Sequence, residues 1–176
     1  MANSPLVSLE KFKLFTVIPT VQAPPDYAAG DVLFAPTEIP NFFPSTGASC
    51  ILKSICIIDK QIVATHAFTL YFTYSSTALG TINATADVSV GTLEEIQATI
   101  PVVDGDWIAG GAAGSVDNAN VCTITNPAVD GIGSVLQGSN WAGSSQSRSI
   151  HIVWIAGETM NVASTSDLII KIGVEY

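Results

Sequence analysis

The chain has 176 residues, room for one well-cored domain and too few for two independent ones. Six Lys and Arg stand against fifteen Asp and Glu, giving a formal net charge of −9, and this weighs against a nucleic-acid partner, because phosphate binding needs a basic footprint. Although 48% of the residues are hydrophobic, no apolar run reaches the ~18 residues of a spanning helix, so no membrane partner is expected.

The opening residues MANSPLVSLEKFKLF lack the basic region, long apolar stretch and small-residue cleavage site of a secretory signal, so synthesis in a cytoplasm is expected. Seven of the nine prolines follow within the first 44 residues, and each fixes φ and removes a ladder donor. Residues 1–44 are therefore expected to form an extended arm containing at most an edge strand, with residues 45–176 as a single β-sandwich domain. Phe12, Phe15, Phe34, Phe42 and Phe43 of the arm are costly to leave in water, and the later strands already supply apolar faces for a core. These five rings are the expected subunit contacts.

Beyond Gly47 the pattern turns to strands. Residues 49–59 (SCILKSICIID) are apolar on both faces, as in a central strand, whereas residues 66–74 alternate, with His66, Phe68, Leu70, Phe72 and Tyr74 on one side. Residues 121–125, 149–156 and 167–176 behave similarly; in the last, Leu168, Ile170, Ile172, Val174 and Tyr176 face in while Asp167, Lys171 and Glu175 face out. Residues 92–98 (TLEEIQA) read as a short helix, with Thr92 and Glu95 at capping-box spacing. Small-residue stretches at 105–120 and 131–149 read as loops or hairpins. The expected fold is all-β, a β-sandwich or a jelly-roll-like barrel with one short helix and an extended Pro-rich N-terminal arm.

Motifs for chemistry are sparse. There is no GxSxG elbow and no GxxxxGK[ST], and the Gly131 and Gly133 pair lacks the third glycine of a dinucleotide loop because Leu136 stands there. His66 and His151 lie in strand-like runs and read as sheet residues. Cys50, Cys56 and Cys122 are odd in number, and an extended strand holds the first two about 20 Å apart, so free buried thiols are expected. Asp104 and Asp106, with Asp117 and Asp130, match no calcium loop and read as solvated acids. No cofactor, no metal and no catalytic residue is expected. Charge is distributed unevenly: from Gln61 to Ser147 there is no Lys or Arg, while seven acids fall inside that stretch. Such a stretch reads as solubility through net charge, and alternatively as a negative surface for a basic protein partner.

The run 30–59, GDVLFAPTEIPNFFPSTGASCILKSICIID, resembles the decoration, or cement, proteins of tailed-bacteriophage heads. The similarity extends to Leu70-Tyr-Phe-Thr73, to residues 104–106 and to the closing LIIKIGV of residues 168–174. The resemblance implies a non-enzymatic virion structural protein on the capsid exterior, present in many copies and bridging major capsid protein subunits, with homo-oligomers expected. A carbohydrate-binding tail or fibre module is the alternative, with exposed Trp107 or Trp141 as stacking platforms and Trp154 in the core.

Overall fold

The structure is a computed structural model and describes residues 11–22, 26–60, 66–109, 119–125, 133–138, 147–160, 164–165 and 168–176. Two antiparallel sheets enclose one core, as in an all-β sandwich; they do not close into a barrel. The strands are β1 (Phe12–Val17), β2 (Val32–Ile39), β3 (Ser49–Asp59), β4 (Phe68–Thr73), β5 (Ile96–Val102), β6 (Trp107–Ala109), β7 (Asn120–Ile124), β8 (Val135–Gln137), β9 (Ile150–Ala156) and β10 (Leu168–Glu175). The first sheet runs β1-β10-β3-β7-β6, with β8 pairing the start of β3 on the edge whose remainder is taken by β7. The second runs β2-β9-β4-β5.

Period-two alternation fixes which residues meet in the middle. Phe15, Ile172, Ile55 and Ile124 form one inward row across the six-stranded sheet, and Val17, Ile170, Ile57, Cys122 and Trp107 form the next. From the other sheet, Phe34, Phe68, Leu70, Phe72, Ile100, Ile152 and Trp154 fill the same core. β3 keeps its inward apolar set only because its phase shifts midway. Gly173 pairs with Ser54 and Val174 with Leu52, so Lys53 is an extra, bulged residue. Cys50 and Leu52 point inward before it, Ile55 and Ile57 after it.

The expected N-terminal arm is not separate from the body. β1 pairs with β10 and β2 with β9, each as an edge strand of its sheet. Proline excludes a segment from the centre of a sheet, not from its edge. Pro36 lies in the interval between the Phe34 and Thr37 pairings where the β2 register shifts, and Pro19 and Pro40 lie just past strand ends. Tyr27, fully buried, anchors the connection between β1 and β2: its hydroxyl accepts from the Gln22 N–H at 2.7 Å and lies 3.0 Å from both the Gln22 and Leu33 carbonyls.

The helix is also displaced. A single turn, α1 (Val90–Leu93), starts at Ser89, whose hydroxyl accepts the Thr92 N–H at 3.2 Å, and residues from Ile96 onward belong to β5. Alternation of Ala98, Ile100 and Val102 inward, with pairing to β4, outweighs the helical propensity of TLEEIQA. Before that turn, the segment following β4 folds over the outer face of the four-stranded sheet. Leu79, Ala86 and Val88 pack there on Val32, Tyr71, Val153 and Ile155 as a second small apolar cluster.

Candidate interaction surface

The same alternation that fills the core decides what the six-stranded sheet shows to solvent. Its outer face is a set of cross-strand rows. The first is Phe12, Glu175, Ile51 and Val135; the second is Leu14, Gly173 and Ser54. Thr16, Lys171, Cys56 and Thr123 form the third, and Ile169, Ile58, Val121 and Ile108 the fourth. Ile18, directly after β1, continues the fourth row by parity. Two apolar rows thus flank a polar middle.

These side chains are open to water. Phe12 is 54% exposed, Leu14 56%, Val135 64% and Ile108 72%, and with Ile18 and Ile51 they make up six of the nine exposed large hydrophobics among the described residues. The two sheets differ in this respect. The four-stranded sheet has its outer apolar positions covered by its own chain, whereas this face carries contiguous apolar rows of the kind that mark a contact surface.

Gly173 is required at the centre of the face. A Cβ there would fall inside van der Waals contact of the Ser54 hydroxyl and 2.8 Å from Phe12 Cζ, so the Phe12 ring lies across bare backbone. Charge on the face is ordered too. Lys53, the bulged residue, pairs with Glu175 at 3.0 Å, and Lys171 stands four residues before Glu175 on the same side of β10. In sequence, five of the six cations, Lys11, Lys13, Lys53, Lys60 and Lys171, fall within or next to β1, β3 and β10, where the acids are only Asp59, Asp167 and Glu175; of these, Lys13 and Asp59 belong to the inward side of their strands. The other twelve acids share the remainder of the chain with Arg148 alone.

The expected contact rings divide. Phe12 lies on the exposed face. Phe15 is half-buried at the core margin, stacked on Phe42 at 4.8 Å, with Lys13 Nζ 4.6 Å from its ring centre. Phe34, Phe42 and Phe43 have no exposed surface and belong to the chain's own core, so they offer nothing to a neighbour. Phe42 and Phe43 meet edge to face at 5.1 Å, held by Tyr176 Oη donating to the Phe42 carbonyl at 2.7 Å and by the Phe43 N–H donating to Arg148 O at 2.9 Å. The face's other members, Leu14, Ile51, Ile58, Val121, Val135 and Ile108, went unselected by sequence. Their signal was an apolar residue at the outward position of an alternating strand.

Titratable groups gather at one place away from this face. His66, just before β4, is buried between Asp59 Oδ2, 4.0 Å from Nε2, and Glu158 Oε1, 3.9 Å from Nδ1. Its Nδ1 makes no hydrogen bond, since Glu158 Oε1, which accepts the Ala67 N–H at 2.8 Å, stays beyond hydrogen-bond reach. Burial pushes the imidazole below the ordinary range, and Glu158 and Asp104 offset part of that push. Asp104, in the 3₁₀ turn Asp104–Asp106, is held above the usual carboxylate range by desolvation and by the neighbouring Glu158 carboxylate. Among the described residues, no three or more His, Cys, Asp or Glu converge closely enough to hold a metal ion. Asp117 and Asp130 lie outside the described residues.

Nor do the described tryptophans form a sugar platform. Trp107 is in β6 and buried, its Nε1 donating to the His66 carbonyl at 2.8 Å, and Trp154 is fully buried. The expectation of an exposed Trp107 fails because the residue continues the inward row of Val17, Ile170, Ile57 and Cys122; Trp141 lies outside the described residues. Cys50 and Cys122 are buried and in no disulfide, while Cys56 is half-buried on the outer face. No family model matches the chain, and no curated protein matches it. No helix among the described residues is long and apolar enough to cross a membrane.

Proposed function

We propose that the chain is a non-enzymatic structural protein of a tailed-phage virion, bound to the outer capsid surface, where it reinforces contacts between major capsid protein subunits. The observation that carries the reading is the bare, apolar outer face of the six-stranded sheet on a domain whose other sheet is covered by its own chain. A protein that works by contact needs such a surface and needs no cleft. The resemblance of the run 30–59 to capsid decoration proteins supplies the setting, and the acid-rich remainder of the chain suits a more basic lattice.

The test is binding of the purified chain to empty tailed-phage heads stripped of their decoration, read by co-sedimentation, together with mass spectrometry of intact virions for the chain and its copy number. Saturable binding at a fixed number of copies per head supports the reading. Absence from virions and no binding to heads would contradict it.

A further inference from the structure

We infer that the outer face of the six-stranded sheet is closed by a second copy of this chain, related by a two-fold axis that crosses β10 between Lys171 and Gly173. This rests on the reading of that face as a contact surface, and it names the occupant.

The argument begins with the pattern on the face. An axis lying in its plane and across the strands exchanges the first row with the fourth and the second with the third. Phe12 of one copy then lies over Ile18 of the other, Ile51 over Ile58, and Val135 over Val121. Most of both apolar rows is covered at once; Ile169 faces Glu175, and Ile108 lies at the margin beyond the other copy's Val135. Lys171 falls over Gly173 of the second copy, above the Phe12 ring edge and Ser54 hydroxyl that lie across that glycine, and beside that copy's Glu175. The symmetry repeats the contact, so each Lys171 meets the other copy's Glu175. Opposite charges four residues apart on one strand are self-complementary under a two-fold operation, as an isologous interface requires.

Competing arrangements fit less well. Edge-to-edge pairing through β1 is opposed by Lys13, which points to the core side of the edge strand and donates from Nζ to Asn41 O at 3.3 Å, an inward charge of the kind that blunts sheet edges. The size is adequate for a specific but weak dimer. Five strands about 4.8 Å apart and about seven residues long cover on the order of 500 to 600 Å² in projection, approaching the ~800 Å² per partner of a standard interface. Face-to-face packing of sheets is an ordinary geometry.

The experiment is sedimentation equilibrium of the full chain from about 1 to about 200 μM, the range in which a weak dimer dissociates. Wild type is expected to pass from monomer to dimer. The double variant Ile108→Glu with Val135→Glu, at positions exposed enough to leave folding intact, is expected to weaken the dimer at least about tenfold, as is Lys171→Glu. Lys171→Glu combined with Glu175→Lys restores the pairing in reverse and brings association back toward wild type. A wild type that stays monomeric, a trimer, or a dimer indifferent to Ile108→Glu with Val135→Glu overturns the inference; so does a failed rescue in a variant whose melt is intact. Head binding is measured separately. A monomer that still decorates heads sinks only the two-fold dimer, and a dimer that binds no head sinks only the capsid role.

Discussion

Replacing Phe42 by Ala separates a core role from a contact role for the aromatic N-terminal quarter. The ring is fully buried, stacked on Phe15 with an interplanar angle of 29° and edge-on to Phe43 at 79°. The Tyr176 hydroxyl and the Arg148 carbonyl tie down the backbone of Phe42 and Phe43, so the cavity cannot close by a shift of the chain. Loss of a buried phenyl without collapse costs about 3 to 5 kcal/mol, against a total stability of about 5 to 15 kcal/mol for a domain. At roughly 2 to 4 °C per kcal/mol for a chain of this size, the midpoint should fall by about 6 to 20 °C. Urea unfolding followed by tryptophan fluorescence, with calorimetry, reads both numbers. A loss below about 1 kcal/mol accompanied by weakened self-association would refute the reasoning, since it would mean that the ring serves a neighbour.

Three further outcomes follow from the structure. A Cβ at Gly157 would lie 2.9 Å from the Ala67 carbonyl oxygen and 3.0 Å from its carbon, both backbone, so Gly157→Ala should destabilise by about 1 to 3 kcal/mol in urea titration; an unchanged midpoint would contradict the packing there. His66 and His151 are both held below the ordinary imidazole range by burial, so the fold prefers them neutral. Their contribution is complete above about pH 6.5 and is lost as the pH falls from there toward the folded-state values, where the unfolded chain binds the extra protons. The slope of stability between pH 7.5 and 5.5 should therefore flatten in a variant carrying His66→Gln and His151→Gln, and an identical slope would count against it. Burial pushes the Cys50 thiol up to about 12, and Cys122 is fully enclosed, so brief alkylation at pH 8 should mark Cys56 alone, more slowly as protein concentration rises. Peptide mapping showing equal labelling of all three would disprove the placement.

Much of the fold was legible because alternation carries it. The inward sets Phe68, Leu70, Phe72 and Leu168, Ile170, Ile172, Val174 are read directly from period two, and they name the two sheets' central strands. Elsewhere local signals misled. Prolines 19, 36 and 40 argue against central strands, yet the chain uses β1 and β2 as edges, where a missing donor costs little; this brings Phe34, Phe42 and Phe43 into the core. TLEEIQA has helical composition, but only pairing with β4, a contact across more than twenty residues, makes Ile96 onward a strand. The bulge at Lys53 leaves no mark in composition, and it is what turns both Leu52 and Ile55 inward. The contact face was half visible. Outward apolar residues on β1, β3 and β10 stand in the sequence, but their assembly into rows depends on register, and Ile108 and Val135 join the face only through β7 and the start of β3.

The measurement closest to the central claim mixes two charge variants. Lys171→Glu alone places glutamates opposite each other across the two-fold axis, and Glu175→Lys alone places lysines there, so each variant by itself should remain monomeric at concentrations where wild type dimerises. An equimolar mixture should form a heterodimer of twice the monomer mass in sedimentation equilibrium, because both contacts then join Glu to Lys. A mixture that stays monomeric while both variants melt as wild type does would contradict the two-fold face.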